Sequence, residues 1–154
     1  MKTRTGFVSN SSSSSFIVVF DKKPKSAKEL QKAMFGTEKS LAAYGDPVST
    51  QKAARDVFKK LKGQKPLTLG QAILLLEDGV VEWGEKSVYP PPYDSKEPDE
   101  SKEDRLLVQA ELANKSKGKL MFLFKYSDNN DVFETAMEHG DIFKNFDHFV
   151  ISHH

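Results

Sequence analysis

Two apolar runs, about a hundred residues apart, constrain the fold of this chain more than any other feature. Residues 16–20 and 120–124 each contain five consecutive apolar side chains. A strand without polar alternation must be covered on both faces, and a sheet with helices on each side provides that cover. A third short strand is predicted at residues 149–151, where another apolar triplet occurs.

The residues between these runs carry mainly helical signals. Ala54, Val57, Phe58 and Leu61 have the spacing of an amphipathic helix over residues 50–62. Further helices are predicted to start near Ser26, Thr68, Ser101 and Asp131. Ser26 and Glu29 have the spacing of a capping box, and Thr68 and Asp131 are further candidate caps. The apolar face of the helix that starts near Ser101 would be Leu106, Leu107, Ala110 and Ala113. We therefore predict an α/β protein, with α+β as the alternative. Its small three-stranded mixed sheet (strands near 16–20, 119–125 and 148–152) would be covered by about five helices.

The length and composition indicate one domain over residues 1–154, with an exposed, proline-rich and charged loop near residues 84–100. The chain contains no cysteine, which excludes disulfides and thiolate metal sites. No apolar run approaches the roughly 20 residues that a membrane span needs. Serines interrupt the region where a signal peptide would be apolar. We expect a cytoplasmic, soluble protein with no membrane partner.

A tract of five serines directly precedes the first predicted strand. Hydroxyls and backbone amides at a strand entrance suit an anionic ligand, so the predicted ligand-binding residues are Ser11, Ser12, Ser13, Ser14 and Ser15, together with Asn129. The alternative is a solvated tail whose last serine starts the strand.

Residues 6–16 read Gly-Phe-Val-Ser-Asn followed by the five serines and Phe16. This string resembles the start of uncharacterised bacterial and phage proteins, over residues 4–17. The same resemblance implies a second motif, S-D-N-D-G followed by E-H-G, where this chain has Asp128, Asn129 and Asp131 and then Glu138. An extra asparagine and a missing glycine depart from that pattern. The resemblance implies no particular activity.

All four histidines lie in the last third of the chain, beside several carboxylates. Imidazole and carboxylate are ligands for divalent metal ions, and the predicted ligands are Asp128, Asp131, His153 and His154, followed by Glu138 and His139. The simpler interpretations are a turn, a helix cap at Asp131 and a favourable charge of His139 at a helix end.

The predicted strand directions would bring these stretches together. A strand, one helix and a strand within this length usually form a parallel crossover, so the ends of strands two and three would share one sheet edge. The serines reach that edge only if strand one runs opposite to both, which we predict. The sequence therefore predicts a Ser/Asp/His site for a divalent metal or a phosphate-bearing ligand, and leaves open whether the protein is an enzyme.

A basic segment offers a different interpretation. Lys and Arg outnumber Asp and Glu by twelve to five in residues 21–65, whereas acids outnumber bases by eleven to four in residues 77–111. Lys52, Arg55, Lys59 and Lys62 form a stripe along the predicted helix 50–62. The alternative function is an interaction protein that uses this helix or the proline-rich loop to bind a protein or nucleic acid. A solvated or internally paired stripe is the simpler interpretation, so nucleic acid is not the favoured partner.

Overall fold

A computed structural model describes residues 13–41, 47–128 and 131–153 of the chain. The described residues form five helices and seven strands. In chain order they are β1 (Ser13–Phe20), α1 (Ala27–Phe35), β2 (Ser40–Leu41), β3 (Val48–Ser49), α2 (Thr50–Lys62), α3 (Leu69–Leu76), β4 (Val80–Trp83), β5 (Lys86–Val88), α4 (Lys102–Ser116), β6 (Leu120–Ser127), α5 (Val132–His139) and β7 (His148–His153).

The main sheet has five strands in the order β5-β4-β7-β1-β6, and β2 and β3 form a separate two-stranded ladder. The mixture of helices and strands confirms the α/β prediction in its general form. The prediction of a three-stranded mixed sheet is wrong, because every neighbouring pair in the five-stranded sheet is antiparallel. The strands β6 and β7 are parallel to each other, but β1 lies between them.

The two additional strands of this sheet form a hairpin that overlaps the predicted loop at residues 84–100. Trp83 pairs with Lys86 across a two-residue connection, and Gly84 adopts a positive φ of 61° there. The alternation of buried Val81 and Val88 with exposed Glu82 and Ser87 is the period of a half-buried strand. Each arm is only three or four residues long, which explains why the longer proline-rich context obscured it.

Both faces of the central strand β1 are covered, as its uninterrupted apolar sequence predicted. Phe16, Val18 and Phe20 belong to a core cluster with residues of α1, α2 and α5. Ile17 and Val19 belong to a second cluster with residues of α3 and α4. Side chains alternate along a strand, so each face of the sheet has its own core.

The five predicted helices are all present, although two details differ. At α1, Ser26 Oγ accepts a hydrogen bond from the backbone N–H of Glu29. The Glu29 carboxylate accepts from the N–H of Lys25, so the predicted reciprocal capping box does not form there. In α4, the predicted apolar face is wrong, because Leu106 and Leu107 are each 55% exposed. The helix instead buries Val108, Leu112 and Ser116, which repeat every four residues and pack toward α3.

Within the described residues, no helix is both long and apolar enough to cross a membrane.

Candidate functional site

One end of the sheet brings together the serines of β1 and the last residues of β6 and β7. Ser13 lies opposite Ser127 on one side and His153 on the other. The predicted direction of β1, opposite to both other strands, is therefore confirmed. We call this end of the sheet the serine rim: residues 13–15, 125–127 and 152–153.

The serine rim has two faces of different chemistry, because neighbouring residues in a strand point to opposite sides. Ser14 and Tyr126 lie on the side of the core that includes α2 and α5, which we call the even face. The other side, the odd face, continues the core covered by α3 and α4. It carries Ser13, Ser15, Lys125, Ser127 and His153.

On the even face, Asp128, Glu138 and His139 form a compact group. One ligand atom from each residue lies within 4.8 Å of the other two. Glu138 Oε1 is 3.1 Å from His139 Nε2, and the Glu138 side chain is only 1% exposed. Carboxylate and imidazole are ligands that Zn²⁺, Mn²⁺ and Fe²⁺ share, so this donor set can hold a divalent ion.

Neighbouring hydroxyls orient both carboxylates of this group. Ser14 Oγ donates a hydrogen bond of 2.9 Å to Glu138 Oε2 in the buried interior. Thr135 Oγ1 donates one of 3.0 Å to Asp128 Oδ1. Such hydrogen bonds fix the direction in which a carboxylate presents its other oxygen.

The short helix α5 positions two members of the group. Asp131 caps its first turn by accepting hydrogen bonds from the N–H groups of Phe133 and Glu134. Ala136 and Met137 are buried against the sheet, which places Glu138 over the serine rim. At Gly140 a Cβ atom would lie 2.4 Å from the carbonyl oxygen of Ala136, so only glycine fits where the helix ends.

Further acidic groups lie beside α5 on the even face. Burial raises the pKa of Glu134, and the charges of Asp56, Asp131 and Glu138 raise it further, while Lys60 opposes them. These neighbouring carboxylates are the smaller cause of the shift, and their negative charge favours a cation nearby.

Tyr126 connects the serine rim to α2. Its hydroxyl donates a hydrogen bond of 2.8 Å to Asp56 Oδ2. Lys60 Nζ lies 3.4 Å from the same carboxylate oxygen and 3.8 Å from the centre of the Tyr126 ring. Burial, followed by the charge of Asp56, raises the pKa of Tyr126 far above its ordinary range, so the phenol stays protonated as a donor.

The odd face presents hydroxyls, one lysine and one imidazole around an open groove. The groove has a volume of about 350 Å³ and is lined by Ser13, Ser14, Ser15, Lys125, Tyr126, Ser127 and His153. Ser15 Oγ and His153 Nε2 are 3.0 Å apart and share a hydrogen bond. Gly79 makes room for the imidazole, because a Cβ atom there would lie 3.1 Å from His153 Nδ1.

The predicted Ser/Asp/His site is therefore divided between the two faces. Asp128 lies with Glu138 and His139, which the sequence had placed second, while Asp131 serves as a helix cap. His153 lies on the odd face, away from both aspartates, because its odd position in β7 fixes its side. Of the other predicted site residues, Ser11, Ser12, Asn129 and His154 lie outside the described residues.

The predicted basic stripe is exposed along α2 but does not pair with the acidic segment 77–111. None of the ion pairs in the described part of the chain joins the stripe of Lys52, Arg55, Lys59 and Lys62 to that segment. Lys52 Nζ instead lies 4.7 Å from the Phe133 ring centre, and Lys62 Nζ lies 5.6 Å from that of Phe58.

A groove of about 470 Å³ lies at the opposite end of the sheet, near Phe20 and Lys119. Two of the three lysines that line it are paired. Lys119 Nζ is 3.0 Å from Asp21, and Lys144 Nζ is 2.9 Å from Glu38. Among the described residues, the carboxylates that line this groove, Asp21, Glu29 and Asp147, do not form a group with ligand atoms as close together as those of the even face.

Sequence reasoning missed Tyr126, Asp56 and Lys60, whose contacts connect the serine rim to α2. Their separation along the chain gives no local motif, although the polar end of an otherwise apolar strand was a signal for Tyr126.

Comparison of the chain with protein-family models, with curated proteins and with solved structures finds no match.

Proposed function

We propose that this protein binds a divalent transition-metal ion through Asp128, Glu138 and His139. The observation that carries the proposal is the proximity of their ligand atoms, all within 4.8 Å of one another. Two carboxylates and one imidazole form a mixed oxygen and nitrogen donor set, which suits Zn²⁺, Mn²⁺ or Fe²⁺.

The surroundings of Glu138 support this assignment. A carboxylate with a side chain only 1% exposed is costly unless positive charge or hydrogen bonds compensate it. Ser14 donates one hydrogen bond to this carboxylate and His139 Nε2 lies 3.1 Å from its other oxygen, and a dication shared with Asp128 would add further charge compensation. The bond from Thr135 to Asp128 acts in the same way as the outer hydrogen bonds that orient ligands in metal sites.

The exposure of the group determines what a bound ion would do. The side chain of His139 is 35% exposed, so the ion would be reachable from solvent. Three protein ligands leave at least one position of a tetrahedral ion for water or a substrate. The donor set therefore supports a reactive or ligand-exchanging site better than a closed structural one.

Titration with Zn²⁺ and Mn²⁺, followed by calorimetry and thermal unfolding, tests the proposal. We expect one ion per chain and a raised melting temperature, because an ion that binds only the folded state stabilises it. Glu138→Gln and His139→Ala should each reduce the affinity by about 100-fold or more, since each removes a ligand. Glu134→Gln is the matched control, because it removes a nearby carboxylate outside the group and should change the affinity less than about threefold.

Absence of saturable binding to the wild-type protein would contradict the proposal. Equal losses in Glu134→Gln and Glu138→Gln would do the same, since general negative charge would then explain the binding. Circular dichroism of each variant distinguishes loss of a ligand from loss of the fold.

A second candidate function is the binding of a small phosphate-bearing ligand on the odd face. Lys125 lies with the three serines Ser13, Ser15 and Ser127 around the groove, which offers hydroxyl donors and one positive charge for an oxyanion. Phosphate titration monitored by ³¹P NMR tests it. Lys125→Met should weaken binding about 10-fold and the exposed control Lys96→Met should not; equal effects of both variants would exclude this site.

A further inference from the structure

The helices α1 and α2 form a basic groove on the outer side of the molecule, separate from the serine rim. The two helices pack against each other, with Gln31 Nε2 donating a hydrogen bond of 3.2 Å to Thr50 Oγ1. A groove of about 370 Å³ between them is lined by Ala27, Lys28, Gln31, Gln51 and Arg55. We call it the α1/α2 groove.

The two cations of the α1/α2 groove, Lys28 and Arg55, form no ion pair with the described residues. Both residues are exposed. Attraction to the acidic segment 77–111 would have explained the basic stripe. The ion pairs of that segment are made with other residues, as in the ion pair of Asp99 with Arg105.

The cations extend the groove into a longer basic surface. Arg55 and Lys59 lie four residues apart along α2, a rise of about 6 Å, whereas Lys52 contacts the Phe133 ring of α5. Lys28 and Lys32 lie one turn apart on the facing helix α1. Phosphates follow one another about every 3.4 Å along the axis of each nucleic-acid strand, so several of these cations can contact one backbone.

The surface lacks the apolar anchors that protein partners usually need. In the described part of the chain the exposed large apolar side chains are Leu69, Leu74, Tyr89, Tyr93, Leu106, Leu107 and Val132. None of them belongs to α1 or α2. Lysine, arginine and glutamine side chains are the groups that contact phosphate and sugar in nucleic-acid complexes.

We infer that the α1/α2 groove binds the phosphodiester backbone of a nucleic acid without reading its bases. The inference is independent of the proposed metal site. Four or so phosphate contacts give a salt dependence with a slope near −3 in a plot of log K against log salt for a single strand. The affinity should therefore fall about 50-fold between 50 and 200 mM salt.

Fluorescence anisotropy with a labelled, mixed-sequence 20-nucleotide DNA strand measures this binding in the full chain. The double variant Lys28→Gln/Arg55→Gln should lose at least about 10-fold in affinity at low salt and reduce the slope by about 1.4. The matched control is Lys96→Gln/Lys117→Gln, which removes the same charge from exposed positions elsewhere and should change the affinity less than twofold. Thermal unfolding of both variants confirms that the fold is retained.

Three outcomes would overturn the inference. The first is no salt-dependent binding by the wild-type chain, and the second is an equal loss in both double variants. The third is displacement of the DNA by polyglutamate at equal charge concentration, which would show that charge alone is recognised. Sedimentation of the protein without DNA tests whether a second copy of the chain occupies the groove. A salt-sensitive dimer that is lost in Lys28→Gln/Arg55→Gln would assign the groove to self-association instead.

Discussion

The even and odd faces of the serine rim share one backbone and differ in almost every chemical property. Both serines are buried, but Ser14 hydrogen-bonds to a carboxylate of α5, whereas Ser15, one residue later, hydrogen-bonds to the imidazole of His153. The neighbouring elements make the difference, because α5 brings a carboxylate to the even face and β7 brings an imidazole to the odd face. Adjacent serines in a homopolymeric tract therefore have separate roles.

The largest expected differences in unfolding free energy and in Zn²⁺ affinity are those between Ser14→Ala and Ser15→Ala. Ser14→Ala removes a donor from the buried Glu138 carboxylate and should cost about 2 kcal/mol of unfolding free energy, against about 1 kcal/mol for Ser15→Ala. If Glu138 is a metal ligand, Ser14→Ala should also weaken Zn²⁺ binding by about 10- to 100-fold. Ser15→Ala should leave that affinity unchanged within twofold.

Urea unfolding and calorimetry of this pair of variants give both measurements. Equal effects of the two substitutions on stability and on metal binding would show that the faces are not distinct. The substitutions have identical chemistry and adjacent positions, so no other control is needed.

Tyr126→Phe tests the hydrogen bond that connects Tyr126 on the even face to Asp56 in α2. The substitution keeps the buried ring and removes the hydrogen bond to Asp56, so we expect a loss of about 1 kcal/mol in unfolding free energy. Tyr93→Phe is the control, since Tyr93 is fully exposed and its hydroxyl makes no hydrogen bond to the described residues. A Tyr126→Phe protein as stable as the Tyr93→Phe protein would contradict the predicted role of this bond.

The smallest expected effect is a pH dependence at Glu134, whose pKa is raised in the folded protein by burial and by neighbouring carboxylates. Because the folded state holds this proton more tightly than the unfolded chain, ionisation destabilises the fold as the pH rises above the ordinary glutamate range. Glu134→Gln should therefore stabilise the protein more at pH 7 than at roughly pH 3.5, by less than about 0.5 kcal/mol because solvent still reaches this half-buried group. Denaturant titrations at both pH values measure the difference, and a larger stabilisation at the lower pH would reverse the predicted sign.

The sequence predicts the long elements of this fold well and its short ones poorly. The apolar run at residues 16–20 locates β1, and the spacing from Ala54 to Leu61 locates α2, because each pattern repeats over enough residues to exceed chance. The hairpin of β4 and β5 offers only two buried valines, Val81 and Val88. Its strands form because β7 pairs with β4, and that pairing cannot be read from local sequence.

The sequence predicts the end of the sheet at which the candidate site lies, but it does not predict which face of the sheet each site residue occupies. The direction of β1 brought the serines to the ends of β6 and β7, as expected. Which side His153 occupies depends on its exact register with Ser13, and a shift of one residue would reverse it. The position of Glu138 over Ser14 depends on how the short helix α5 turns back, which no spacing in the sequence specifies.

The central position of β1 has a consequence for how the protein acquires its structure during synthesis. Its neighbours β6 and β7 are translated roughly 100 and 130 residues later. Until they emerge from the ribosome, this strand, which is buried along almost its whole length in the folded protein, has two open edges and a high tendency to associate with other chains. Folding of the nascent chain is accordingly expected to be slow and dominated by long-range contacts, with chaperone binding most important before β7 is complete.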